Sequence, residues 1–98
     1  MRKEGERIVI EKGKERADEW VFEVSVGTHS FEVSVSKEYH ERLTGGAISA
    51  RNLVLYSFFF LLDRESSSSI LRSFDLREIP AYFPEYEAAM EFLTKRKV

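Results

Sequence analysis

The chain has 98 residues, 15 Lys and Arg against 17 Asp and Glu, a formal net charge of −2, and no cysteine. A chain of this length makes one domain and buries roughly 60–65% of its unfolded surface, a modest core. Without Cys there is no disulfide framework and no thiolate metal site, which fits a reducing compartment.

The charges are mixed along the chain. Residues 1–19 alone hold six basic and six acidic side chains. No segment carries the basic excess that favours phosphate binding by counterion release. The cluster Lys95-Arg96-Lys97 follows a predicted helix, where cations complement the helix dipole. The longest apolar run, Leu53 to Leu62, is interrupted by Ser57 and is too short to span a bilayer. Met1-Arg2-Lys3-Glu4-Gly5 leads into no apolar signal region, so a cytoplasmic protein without membrane association is expected.

The N-terminal third reads as strands. Arg7-Ile8-Val9-Ile10-Glu11 is a short β-prone run closed by Lys12-Gly13-Lys14. From Trp20 to Val26, apolar Trp20, Phe22, Val24 and Val26 alternate with Val21, Glu23 and Ser25. Phe31, Val33 and Val35 alternate with Glu32, Ser34 and Ser36 in the same way. A turn over Gly27-Thr28-His29-Ser30 pairs Val26 with Phe31, Val24 with Val33 and Phe22 with Val35, all on one face.

From residue 36 the period changes. Ser36 is an N-cap for a helix over Lys37–Thr44, with Tyr39 and Leu43 on one face and Gly45-Gly46 as the stop. Ser49 caps a second helix, Ala50 to Arg64. Ser66–Ser69 is a connector that caps a short helix, Ile70 to Phe74. Asp75 and Glu78 have capping-box spacing ahead of Ile79, and Pro80 and Pro84 break the stretch that follows. Pro84 suits the first position of a last helix, Glu85 to Thr94, with Tyr86, Ala89, Met90 and Leu93 as its apolar stripe. The expected fold class is α+β, in one domain over residues 1–98. An N-terminal antiparallel hairpin or three-stranded sheet (residues 7–36) precedes three or four helices (residues 37–94) on one face. The order of residues 1–6 is left open.

The second helix carries too much apolar surface for a small domain. On a wheel of 100° per residue only the row Asn52, Tyr56, Phe59, Asp63 has polar ends, and its middle is aromatic. Of 13 aromatic residues, four fall between Tyr56 and Phe60. A helix apolar nearly all round is either central in a large core or shared with a partner. The expectation is an interface made by Leu55, Tyr56, Phe59 and Leu62, with a homodimer as its product because symmetric pairs dominate soluble oligomers.

Three resemblances bear on function. Phe31-Glu-Val-Ser-Val-Ser36, Lys37-Glu-Tyr-His-Glu-Arg-Leu43, a small-residue turn, then Ser49 and Leu53-Val54 resemble the ribbon-helix-helix repressors and antitoxins. That resemblance implies two chains pairing their strands, a ribbon in the DNA major groove and second helices at the dimer core. Three features depart from it. The outward strand positions are Glu32 and Ser34, where a DNA reader uses Arg, Lys, Gln or Asn. Phe22–Val26 already offers a hairpin partner, and Gly45-Gly46 cuts the first helix short. The C-terminal half, from Ser57-Phe-Phe-Phe-Leu-Leu62 to Tyr82-Phe83-Pro84-Glu85-Tyr86, resembles small uncharacterised prokaryotic proteins of similar length, a group that implies no activity. Ser69 to Leu76 with Ile79 and Tyr82 looks like a helix-turn-helix, but Pro80 falls inside its recognition helix.

Chemistry-bearing residues are scattered. His29 falls in the predicted turn and His40 on the exposed side of the first helix, neither with a second His or Cys at metal-ligand spacing. Ser66–Ser69 has no nucleophile elbow, and Gly45-Gly46 lacks the Lys-Ser/Thr of a phosphate loop. Glu85 and Glu87 suit a helix N-terminus, and Asp63-Arg64-Glu65 a solvated helix end. No nucleophile, base and orienting group fall together, so no enzyme, cofactor or metal is expected. The reading is a non-catalytic homodimeric interaction or regulatory module, with a ribbon-helix-helix DNA-binding dimer as the alternative. A third class is a small-molecule sensor with an aromatic pocket around Tyr56, Phe59 and Tyr82.

Overall fold

Two eight-residue strands of alternating character form the centre of the sheet in the computed structural model, which describes residues 7–11 and 13–95. The order of residues 1–6, Lys12 within the first turn, and Arg96-Lys97 of the basic cluster lie outside the described residues. The elements in chain order are β1 (Ile8–Ile10), β2 (Lys14–Glu15), β3 (Glu19–Val26), β4 (His29–Ser36), α1 (Lys37–Thr44), α2 (Ala50–Leu62), β5 (Ser73–Asp75), α3 (Ile79–Tyr82) and α4 (Tyr86–Lys95). Short 3₁₀ turns at Ser67–Ser69 and Leu76–Glu78 flank β5. The result is a mixed α+β fold with a five-stranded sheet and four helices.

The sheet order is β1-β3-β4-β5, with β2 also on β3. The hairpin faces are as expected, but its register is displaced by two residues. Val26 pairs with His29, Val24 with Phe31, Phe22 with Val33 and Trp20 with Val35. The cause is the turn. Gly27 has φ +60° and Thr28 does not, so a two-residue turn with glycine first closes the hairpin, and its twist matches the strands. His29 is therefore the first residue of β4 rather than a turn residue. A shift of two leaves every side chain on its face. Phe22, Val24, Val26, Phe31, Val33 and Val35 are all buried, while Glu23 and Glu32 point to solvent.

Both main helices start where their caps direct. The Ser36 Oγ accepts from the Tyr39 N–H at 3.1 Å, and Gly45 (φ +64°) ends α1 with its N–H donating to the Glu41 carbonyl at 2.7 Å. Ser49 Oγ accepts from the Asn52 N–H at 3.1 Å and opens α2. That helix ends at Leu62, two residues short of the expected Arg64, where the Arg64 N–H makes a tighter i→i−3 bond to the Leu61 carbonyl at 2.9 Å, an acceptor it shares with the Glu65 N–H.

The segment from 66 to 85 departs most from expectation. Ile70–Phe74 is not a helix. Its end is β5, which runs parallel to β4 with Val33 opposite Phe74, after a crossover through α1 and α2. The Asp75–Glu78 capping box forms as spaced, but it caps the 3₁₀ turn that leads into α3. Pro80 is accommodated in the first turn of α3, where no N–H is needed. Pro84 lies ahead of α4 rather than at its first position, since the Ala89 N–H donates to the Glu85 carbonyl at 3.0 Å. On α4 the buried stripe is Tyr86, Met90 and Thr94, and Leu93 falls on its exposed flank.

Candidate functional site: the outer arc of α2 and a carboxylate-rimmed cavity

The α2 helix divides into two arcs. Ala50, Leu53, Val54, Ser57, Phe58, Phe60 and Leu61 are buried against the sheet and neighbouring helices. Phe58 stands between Phe31 and Phe74, ring centres 5.4 and 6.0 Å away. Phe60 meets the edges of Phe83 and Tyr86 at 5.9 and 5.3 Å. Half of the aromatic cluster on this helix is thus core, where sequence reasoning assigned the surplus to an interface.

One polar pair sits inside that core. The Ser57 hydroxyl donates to the Leu53 carbonyl at 2.7 Å. Its single proton is then used, so the Tyr86 hydroxyl, also 2.7 Å away, donates to Ser57. Burial pushes the Tyr86 hydroxyl far above the ordinary tyrosine range. The pair pins α4 on α2 at one position along the helix. A second pin joins α4 to α1, where the Tyr39 hydroxyl donates to the Glu87 carboxylate at 2.7 Å. Burial first, then this bond, raises the pKa of Tyr39.

The four residues expected at an interface fall on the other arc. Leu55, Phe59 and Leu62 follow at i, i+4 and i+7, and Tyr56 flanks Phe59 at i, i+3. Leu55, Tyr56 and Leu62 are half-buried and pack on the core's edge. Phe59, at the centre of the arc, is 41% exposed. The neighbouring α4 adds Phe92 and Leu93, 65% and 49% exposed.

A cavity of about 350 Å³ lies beyond the C-terminal end of α2. Leu61, Ile70, Phe74, Ile79 and Phe83 give it apolar walls, and Leu71 and Tyr82 stand at it with half or more of their surface exposed. Glu65, Ser69 and Glu78 supply its polar lining. Of the aromatic pocket expected around Tyr56, Phe59 and Tyr82, only Tyr82 lines this cavity. Its other aromatic walls, Phe74 and Phe83, come from β5 and the α3–α4 turn, elements whose placement depends on contacts distant in sequence.

Several other polar residues have structural partners. His40 is half-buried rather than on an exposed side, and its Nε2–H donates to the Ile48 carbonyl at 2.6 Å, tying the inter-helix loop to α1. Its ring meets Trp20 edge-on at 5.4 Å, and Lys37 lies over the same indole and pairs with Glu15 at 2.6 Å. Arg64 stacks over Phe60 at 3.6 Å and donates from Nε to Glu85 at 3.0 Å. Asp75 accepts from Arg77 through both oxygens at 3.0 Å and from Ser34 at 3.3 Å. Burial opposes ionisation of Asp75, but the Arg77 guanidinium and N–H and the Ser34 hydroxyl outweigh it and hold its pKa below the usual carboxylate range. Ser34 therefore points into a structural network, with Glu32 solvent-exposed beside it.

The mixed α+β architecture, with a parallel strand closing an antiparallel hairpin sheet, defines the class of fold. No family model, no curated protein and no solved structure matches the chain. Among the described residues, no helix is long and apolar enough to cross a membrane.

Proposed function

We propose that the protein is a non-catalytic interaction module that acts as a homodimer through the outer arc of α2. The observation that supports this reading is the alignment of Leu55, Phe59 and Leu62 with Tyr56 beside them on the outer arc of α2, where three of the four are half-buried and Phe59 is 41% exposed. A two-fold axis across such an arc sets like residues against like and closes after two copies. Phe92 and Leu93 on α4 extend the apolar area beside it.

The ribbon-helix-helix alternative asks β4 to pair with β4 of a second copy. In this fold β4 has β3 on one edge and β5 on the other over Glu32–Ser34, which weighs against a ribbon and in favour of the helix face. Light-scattering mass of the wild type and of Phe59→Glu tests the proposal. The expected result is a dimer for the wild type and a folded monomer, by circular dichroism, for the variant. A wild type that stays monomeric at high micromolar concentration overturns it.

A further inference from the structure

We propose that the cavity at the end of α2 is a binding site for a small organic ammonium ion, an amine carried on an aryl or alkyl body. The inference is independent of the dimer, because the outer-arc residues do not line the cavity.

Shape and charge set the ligand class. The volume, about 350 Å³, lies near the lower end of the range of roughly 300–1,000 Å³ for small-molecule sites, and suits a one- or two-ring body rather than a peptide. The walls are aliphatic and aromatic, so the body of the ligand is apolar. The acidic side chains in the lining are two carboxylates, Glu65 and Glu78, and the lining holds no Lys, Arg or His. A cation is therefore matched and an anion repelled.

Neither carboxylate is ion-paired with a cation among the described residues. Arg64, next in sequence to Glu65, is turned away, with Nε on Glu85 and its plane over Phe60. Arg77, next to Glu78, is held by both oxygens of Asp75. Glu78 spends one oxygen on a long bond of 3.3 Å from the Asp75 N–H. Glu65 makes no side-chain hydrogen bond or ion pair among the described residues. Tyr82, 66% exposed at the cavity, offers a ring face on which an ammonium group is also attracted.

The division of labour follows from those positions. The ligand's body fills the space between Leu61, Ile70, Phe74 and Ile79, and its ammonium group reaches the carboxylate rim. Glu65 is the principal charge partner, since Glu78 also maintains the capping box.

The test uses the whole chain and three probes of one shape: phenethylammonium, phenethyl alcohol and 3-phenylpropionate. Binding is followed by amide chemical shifts and by isothermal titration at low salt. The expected result is saturable binding of phenethylammonium, with shifts centred on Ile70, Leu71, Phe74, Ile79 and Tyr82. The alcohol binds about tenfold more weakly, as expected for loss of a charge-assisted hydrogen bond, and the acid does not bind. Glu65→Gln weakens the ammonium about tenfold and leaves the alcohol unchanged. Glu65→Asp keeps the preference for the cation and guards against a folding artefact. Equal affinity for amine and alcohol, shifts centred elsewhere, or no saturable binding of the amine overturns the proposal. Phe59→Glu retains the affinity, so failure of the dimer and failure of this site are told apart.

Discussion

The outer arc of α2 and the cavity beyond its end are both apolar and both carry aromatic rings, yet they offer different things. The arc is the outward side of a helix, and from Leu55 to Leu62 its side chains are hydrocarbon apart from the Tyr56 hydroxyl, with Asn52 at its margin. The cavity is concave, and two glutamates, Glu65 and Glu78, stand in its lining. A convex apolar ridge gains free energy only against another macromolecular surface, because a small molecule on it stays largely in water. A concave site can surround a small molecule and use one or two charges to orient it. Curvature and charge, not residue type, separate the two.

Collapsing the inner arc of the same helix has the largest expected effect. Phe58→Ala is expected to lower stability by about 3–5 kcal/mol, since Phe31 and Phe74 cannot close the space between them. Phe59→Ala, one residue along, is expected to change it by about 1 kcal/mol or less at low protein concentration. Urea unfolding of both variants measures the contrast, and equal losses would mean that the outer arc is core after all.

A smaller effect sharpens how α4 is held on α2. Ser57→Ala leaves the Tyr86 hydroxyl buried without an acceptor and is expected to cost about 1–3 kcal/mol. Tyr86→Phe leaves Ser57 its bond to Leu53 and is expected to cost less, about 0.5–1.5 kcal/mol. Thermal melts of the two would give the opposite order if the donor assignment were reversed.

The smallest effect concerns pH, close to the cavity. Asp75 has a depressed pKa in the folded chain, so its contribution is complete above the unfolded value, about 3.9, and is lost as pH falls below it. Asp75→Asn is therefore expected to flatten the acid limb of the stability profile without altering the neutral-to-alkaline limb. An acid limb as steep as that of the wild type would show that Arg77 and Ser34 do not hold the carboxylate.

Much of the framework was legible in the residues. Alternation over Trp20–Val26 and Phe31–Val35 marks the buried face without ambiguity, and Ser36, Ser49 and Gly45 mark helix ends by chemistry confined to three or four residues. The hairpin register escaped because slipping by two preserves the faces, so only the backbone of Gly27 and Thr28 distinguishes the alternatives. The strand at Ser73–Asp75 escaped for another reason. Three residues are too few to show a period, and the strand exists because β4 offers an edge some forty positions earlier. The arc bearing Leu55, Tyr56, Phe59 and Leu62 could be placed by helical periodicity alone. The cavity could not, since its walls meet only when α2, β5 and α3 are assembled. The pairing of a helix-end glutamate, Glu65, with the capping glutamate Glu78 around apolar residues was the available hint.

The sheet ends in very short strands, three residues in β1 on one side and three in β5 on the other. An unfolded or extended chain meeting this molecule finds few consecutive free N–H and C=O groups to template on, so growth by added strands is stunted at both borders. The outer arc of α2 and the hydrogen-bonding borders of the sheet are thus in separate places. If the proposed dimer forms, it joins two copies by side chains on a helix rather than by backbone pairing at a sheet edge.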